Sequence, residues 1–230
     1  YNLLVEETRS SFKKSGFLDL PLMGQLYREL SFFITPVFLK CAISANMASY
    51  IGFSIGVCSA LIIFLGYPYA IFSGILLFFL SEIIDRVDGN IARVKGTSTF
   101  YGKFIDGFFD IVTLTLLRLA LCFHVYFFSY SILLFWIGVI AVVLTPFHHL
   151  IFDRYSAYAR WINEEKQLNI KPYIRKDDMV FLLNVFVDIQ YIALIVALFN
   201  FTSGLYAYFL INIILANIYI FKHLKAVYKN

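Results

Sequence analysis

Six long apolar runs, with Lys and Arg kept to alternate links between them, constrain this chain more than any other feature of its sequence. The runs cover approximately 44–66, 67–84, 104–126, 130–150, 179–200 and 203–222. A hydrocarbon core of roughly 30 Å takes about 20 residues of helix, so each run is long enough, or nearly so, to cross it. The expected fold is an all-α integral membrane protein, a bundle of six transmembrane helices. Composition agrees, because 60% hydrophobic and 19% aromatic residues in a chain of 230 do not suit a soluble domain. The second run leads straight into an acidic segment, so its helix is expected to continue past the bilayer surface.

Charge sets the orientation. Lys and Arg fall between Arg9 and Lys40, Arg86 and Lys103, Arg154 and Lys176, and Lys222 and Lys229, apart from Arg118 inside the third run. The links near Tyr67-Pro68-Tyr69, Ser129-Tyr130 and Thr202-Ser203 carry none. By the positive-inside rule both termini are cytosolic, and so is the acidic segment. The net charge of +4 then reads as a topology and headgroup signal, and no nucleic-acid partner is expected. Residues 1–43 form a cytosolic or interfacial N-terminal segment, and 44–230 the six-helix domain. No secretory signal peptide, internal repeat or low-complexity linker is expected. Cys41, Cys58 and Cys122 are unclustered, so neither a disulfide framework nor a thiolate metal site follows from them.

Within the N-terminal segment, Leu22, Leu26, Leu30 and Phe33 recur at helical spacing and form one apolar stripe. Gly24, Arg28 and Ser31 face away from it. The expectation is an amphipathic surface helix. It either lies in the headgroup plane with Arg28 on its wet side, or packs on the cytosolic ends of the bundle.

The chemistry is concentrated in 26 residues from the end of the second run into the start of the third: Asp85-x-x-Asp88-Gly89-x-x-Ala92-Arg93, then Gly102-x-x-x-Asp106-x-x-x-Asp110. Four carboxylates at a membrane boundary repel one another and resist desolvation, so they are tolerable only if cations neutralise them. Asp85 and Asp88 are three apart and Asp106 and Asp110 four apart, which puts each pair on one face of a helix, about 5–6 Å between Cβ atoms. Turn residues between Ile91 and Tyr101 allow the third helix to return beside the second, bringing both pairs to one pocket.

Carboxylate oxygens are hard ligands suited to Mg²⁺, Mn²⁺ or Ca²⁺, and no Cys or His lies nearby to favour zinc. Four negative charges match two divalent ions, and a two-ion site is a recurrent means of holding phosphate oxygens. Gly89, Ala92 and Gly102 leave room for a ligand to approach the backbone. Arg93 offers a planar fork of donors suited to phosphate. Together these residues describe a site for a metal-bound diphosphate.

The pattern resembles the CDP-alcohol phosphotransferase signature, D-x2-D-G-x2-A-R-x8-G-x3-D-x3-D, and meets it at every fixed position. The resemblance implies transfer of a substituted phosphate from a CDP-linked alcohol, such as CDP-diacylglycerol or a CDP-linked headgroup, to an alcohol acceptor. CMP is released, in the synthesis of phospholipids or related phosphodiesters. It also implies a homodimer and two Mg²⁺ ions held by Asp85, Asp88, Asp106 and Asp110. Asp110 would double as general base towards the acceptor hydroxyl, and Gly89, Ala92, Arg93 and Gly102 would line the CDP pocket. The family's Pro-Asn-x-x-Thr element corresponds to Ala45-Asn46-Met47-Ala48-Ser49 here, with Ala45 for Pro and Ser49 for Thr. Asn46 then either contacts the nucleotide or caps the first helix. The rival class is a membrane divalent-cation transporter or channel, in which intramembrane acids form an ion path.

Four further groups bear on function. Arg154 and Arg160, after His148 and His149, either sit on a headgroup-facing helix end or recognise an anionic acceptor. The segment 151–178 is expected to be helical and surface-lying, with Lys171, Arg175 and Lys176 at anionic headgroups. Arg118 is expected to pair with Asp188 inside the bundle, as a structural pair or else as a substrate contact, since a buried unpaired arginine is costly. Gly52, Gly56 and Ala60 form a small-residue stripe that permits close helix approach, either within the bundle or at a dimer seam.

Overall fold

The computed structural model describes residues 1–12, 21–67, 69–129, 131–166 and 179–229, and every regular element among them is helical. In chain order they are α1 (Asn2–Ser11), α2 (Leu22–Lys40), α3 (Ala45–Leu65), α4 (Ala70–Lys95), α5 (Phe100–His124), α6 (Ile132–Lys166), α7 (Met179–Phe199) and α8 (Phe201–Lys229), with a short π-helical turn, Val125–Ser129, closing α5. Among the described residues, four segments are long and apolar enough to cross a membrane: Ala45–Leu65, Phe100–Phe128, Ile132–Glu165 and Phe201–Lys225. In α7 the shorter stretch Asn184–Val196 is apolar. The second half of α4 carries Glu82, Asp85, Arg86 and Asp88, which dilutes its hydropathy. The chain divides into two compact units, Tyr1–Ser131 and Ile132–Asn230.

In the first unit α3 is the middle helix. Its stripe of small residues is internal packing. A Cβ on Gly52 would lie 3.4 Å from the Asp85 backbone nitrogen, and one on Gly56 would lie 2.5 Å from the Thr113 methyl of α5 and 2.9 Å from Ser81 Oγ of α4. Hydrogen bonds fix the approach: Ser81 Oγ donates to the Gly52 carbonyl at 2.8 Å, and Ser59 Oγ to the Gly74 carbonyl at 2.7 Å. Without side chains between them, α4 and α5 both come close to α3. That closeness is what lets acids on two different helices share one pocket.

The caps account for where these helices start and stop. Ser44 Oγ accepts from the Met47 amide at 3.2 Å, so Ser44, and not Asn46, caps α3. At the end of α4, Gly96 takes the left-handed conformation (φ 63°) and the Thr97 amide reaches back to the Ala92 carbonyl at 3.0 Å. Thr99 Oγ1 then accepts from the Gly102 amide at 3.0 Å and starts α5. The turn expected over 91–101 is therefore shorter, and Ile91 to Lys95 remain helical.

Of the two expectations for α2, the one that puts Arg28 on a wet side needs correcting. Its apolar stripe is indeed exposed, with Leu22 71%, Leu26 49% and Phe33 48% accessible, while Tyr27, Ser31, Phe32 and Thr35 are buried. Arg28 is not on a wet face, because its Nη1 donates to the Arg86 carbonyl and to Asn90 Oδ1, each at 3.3 Å, inside the unit. The polar face finds its partners on α4, and the apolar face is left outward, as suits a neighbour made of lipid. α1 packs against α2 through an Arg9–Glu29 pair at 2.5 Å.

In the second unit α8 packs against both α6 and α7. α6 runs unbroken from Ile132 to Lys166 through Pro146, so residues 151–166 continue that helix and do not form a separate surface element. Lys171, Arg175 and Lys176 lie outside the described residues. α7 and α8 are separated by Asn200 alone, whose Oδ1 accepts from the Ser203 amide at 3.3 Å. Thr202 and Ser203 are thus inside α8. The His148 ring lies 4.7 Å from that of Tyr219 on α8. Asp188 lies on α7, in this unit, and Arg118 is buried on α5, in the other.

Candidate active site

Where α4 leaves its apolar run and α5 begins, Asp85, Asp88 and Asp106 each offer a carboxylate oxygen, and these three oxygens lie within 4.8 Å of one another. Two helices contribute, as the spacing requires. Asp110, one turn further along α5, stands outside this group, but of the charged neighbours it exerts the largest field on Asp85. Arg86 reaches Asp85 at 3.8 Å and Glu82 at 3.3 Å. It therefore offsets only part of the negative charge gathered here.

Asp88 is the most deeply set of the three, 7% exposed. It lies on the part of α4 beyond the apolar run. Burial pushes its carboxyl up to about 6; a hydrogen bond from Ser49 Oγ pulls the other way, and the nearby Asp106 adds to the rise. An acid held this way has a strong electrostatic reason to bind a cation. The oxygen-only donor set, its closeness and its excess negative charge fit a hard divalent ion.

Beside the acids is a cavity of about 210 Å³, lined by Ala45, Asn46, Ser49, Asp88, Gly89, Ala92, Arg93, Thr97, Ser98, Thr99, Gly102, Lys103 and Asp106. All the small and cationic residues singled out by spacing line it. Arg93 lies across Gly89: a Cβ there would meet its Nη1 at 3.2 Å. Gly102 faces Asn46, whose Oδ1 would be 3.2 Å from an added Cβ. Arg93 and Lys103 supply positive charge to a space that Asp88 and Asp106 also line. Such a space can seat a polar anion between cations and small residues.

Several residues in and behind this wall carry no signal in the spacing. Ser49 donates to Asp88 from α3, a role visible only as a Ser where a Thr is usual. Glu82 is buried at 8% and paired with Arg86. Arg28 is lowered to about 10 by burial and by Arg93 and Arg86 beside it, which marks a dense cationic cluster behind the acids. Arg154 and Arg160 lie exposed on α6 in the second unit.

Comparison with known proteins follows the same lines. A family model described as CDP-alcohol phosphatidyltransferase matches residues 42–219. No curated protein matches the chain. Among solved structures, Mycobacterium tuberculosis phosphatidylinositol phosphate synthase (PgsA1) in apo form is similar, with a TM-score of 0.58 and 20% identity, covering 85% of this chain and 94% of that one. The same synthase with CDP-DAG bound gives a TM-score of 0.53 at 17% identity, over 85% and 90% of the two chains. Its complex with manganese and citrate gives 0.53 at 17%, over 85% and 86%.

Proposed function

Because the chain belongs to the CDP-alcohol phosphatidyltransferase family, and is therefore an integral-membrane CDP-alcohol phosphotransferase, we propose that it moves a substituted phosphate from a CDP-linked alcohol to an acceptor hydroxyl with release of CMP. The observation that carries this reading is the convergence of Asp85, Asp88 and Asp106 beside a cavity lined by Arg93, Gly89 and Gly102. The manganese and CDP-DAG complexes of the mycobacterial synthase support it by analogy of fold.

Asp85, Asp88, Asp106 and Asp110 hold two divalent ions, Mg²⁺ or Mn²⁺, which when bound polarise the diphosphate and offset charge on the departing CMP. Arg93 directs its guanidinium at the diphosphate oxygens. Gly89, Ala92 and Gly102 leave the nucleotide room against the backbone, and Asn46 faces it from α3. Asp110 accepts the acceptor's hydroxyl proton as the new oxygen–phosphorus bond forms and the bond to CMP breaks. Arg154 and Arg160 are proposed to recognise an anionic group of the acceptor.

Six helices span the bilayer, adding α4 and α7 to the four apolar segments, with both termini and the acidic pocket on the cytosolic side. The enzyme works as a homodimer. A cation path would spread its acids through the bilayer, whereas here they gather at one end beside an arginine.

The test is CMP release by purified protein from a panel of CDP-alcohols, which also names the donor. Asp110→Asn should abolish turnover while preserving fold and much donor binding. Undiminished turnover in that variant would overturn the general-base assignment.

A further inference from the structure

Asn90 occupies one of the unspecified positions of the acidic pattern, yet it is completely buried and every hydrogen-bonding atom of its side chain is engaged. Its Oδ1 accepts from Arg93 Nη2 at 2.7 Å and from Arg28 Nη1 at 3.3 Å. Its Nδ2 donates to Ser31 Oγ at 2.9 Å and Thr35 Oγ1 at 3.0 Å, both on α2.

The network admits one orientation of the amide. Ser31 and Thr35 already donate their hydroxyl protons to the Arg28 and Ser31 carbonyls, each at 2.7 Å, so towards Asn90 they can only accept. The two guanidinium groups have only donors and need the oxygen. A flipped amide would set donors against donors on one side and acceptors against acceptors on the other. Arg93 is therefore held from behind by an oxygen that α2 itself aims. The Phe12 ring completes the setting, with the Arg28 and Arg93 guanidinium carbons 4.7 and 5.2 Å from its centroid.

We propose that Asn90, aimed by Ser31 and Thr35, is a positioning residue that sets the Arg93 guanidinium for the donor's diphosphate, so that α2 acts on donor binding without touching the donor. This rests on the reading of Arg93 as the diphosphate cation. A preset guanidinium loses less freedom on binding than a mobile one, so the effect belongs in KM for the CDP-alcohol more than in kcat.

The experiment measures kcat and KM for a CDP-alcohol with Arg93→Ala, Asn90→Ala, the double variant, and the α2 pair Ser31→Ala with Thr35→Val. The α2 pair leaves the pocket intact and keeps the proposal testable if Asn90→Ala does not fold. Asn90→Ala should raise KM about tenfold, the scale of a lost hydrogen bond to a charged group. The α2 pair should raise it in the same direction by less. In the Arg93→Ala background Asn90→Ala should add nothing to KM. KM losses that multiply in the double variant, or an α2 pair with unchanged KM, would overturn the role of Asn90. If instead Arg93→Ala alone leaves KM unchanged, it is the diphosphate reading of Arg93 that fails.

Discussion

Asp88 concentrates the electrostatics of the site in one side chain. Its folded-state pKa of about 6 stands above the unfolded value of about 3.9. Its contribution to stability is thus fully present below about pH 4 and lost as pH rises through about 6, where the folded protein must bear a buried anion. A divalent ion binds the ionised form and relieves that cost. Adding Mg²⁺ should therefore raise the unfolding temperature more at pH 8 than at pH 5, as thermal unfolding in detergent can measure. An equal gain at both values would count against Asp88 as a ligand. The gathering of seven patterned residues, all but Asp110, at the acids and the cavity beside them was legible in the sequence because helical spacing alone assigns them faces. Ser49, Asn90 and Arg28 were not, because their roles depend on which helix packs opposite, and spacing within one helix says nothing of that.

The decisive element is α3, whose lack of side chains at Gly52 and Gly56 brings α4 and α5 to it. Gly56→Val would drive a side chain into the Thr113 methyl, 2.5 Å from the Cβ. It should destabilise the protein by about 1–3 kcal/mol and depress turnover by parting the acids. Gly107→Ala on α5 meets nothing within 4 Å and should leave the unfolding temperature unchanged or slightly higher. A Gly56→Val protein as stable and active as the parent would contradict this packing.

Periodicity revealed the stripe but left open whether it faced inward or a second copy. It likewise revealed the two faces of α2, with Arg28 opposite the apolar stripe, but not that this polar face turns towards α4. In water an arginine marks the outer face, but beside lipid the apolar stripe goes out and the arginine turns to the protein. Nitroxides on Leu26→Cys and Leu30→Cys should accordingly be relaxed by lipid-dissolved oxygen, whereas one on Ser31→Cys should be shielded. The reverse pattern would restore the wet-face placement.

At the scale of the whole molecule, the apolar runs foretold the helices from α3 to α8, since hydropathy over about 20 residues is a strong signal. Their ends were less legible: the α4–α5 turn and the Asn200 break are set by single caps, and α6 extends well past its apolar run because polar residues continue a helix freely outside lipid. The proposed sidedness rests on the charge distribution, and it is testable with single cysteines in a background lacking Cys41, Cys58 and Cys122. Thr97→Cys should label with a membrane-impermeant maleimide only from the cytosolic side and Tyr69→Cys only from the other; labelling of both from one side would refute the topology. The central claim is that the converging carboxylates hold divalent ions for chemistry on a CDP-alcohol, and CMP release by the purified protein tests it most directly. Release should require Mg²⁺ or Mn²⁺, stop on chelation, and fall by orders of magnitude in Asp88→Asn. Release that persists in chelator, or that survives in Asp88→Asn at the parent rate, would contradict it.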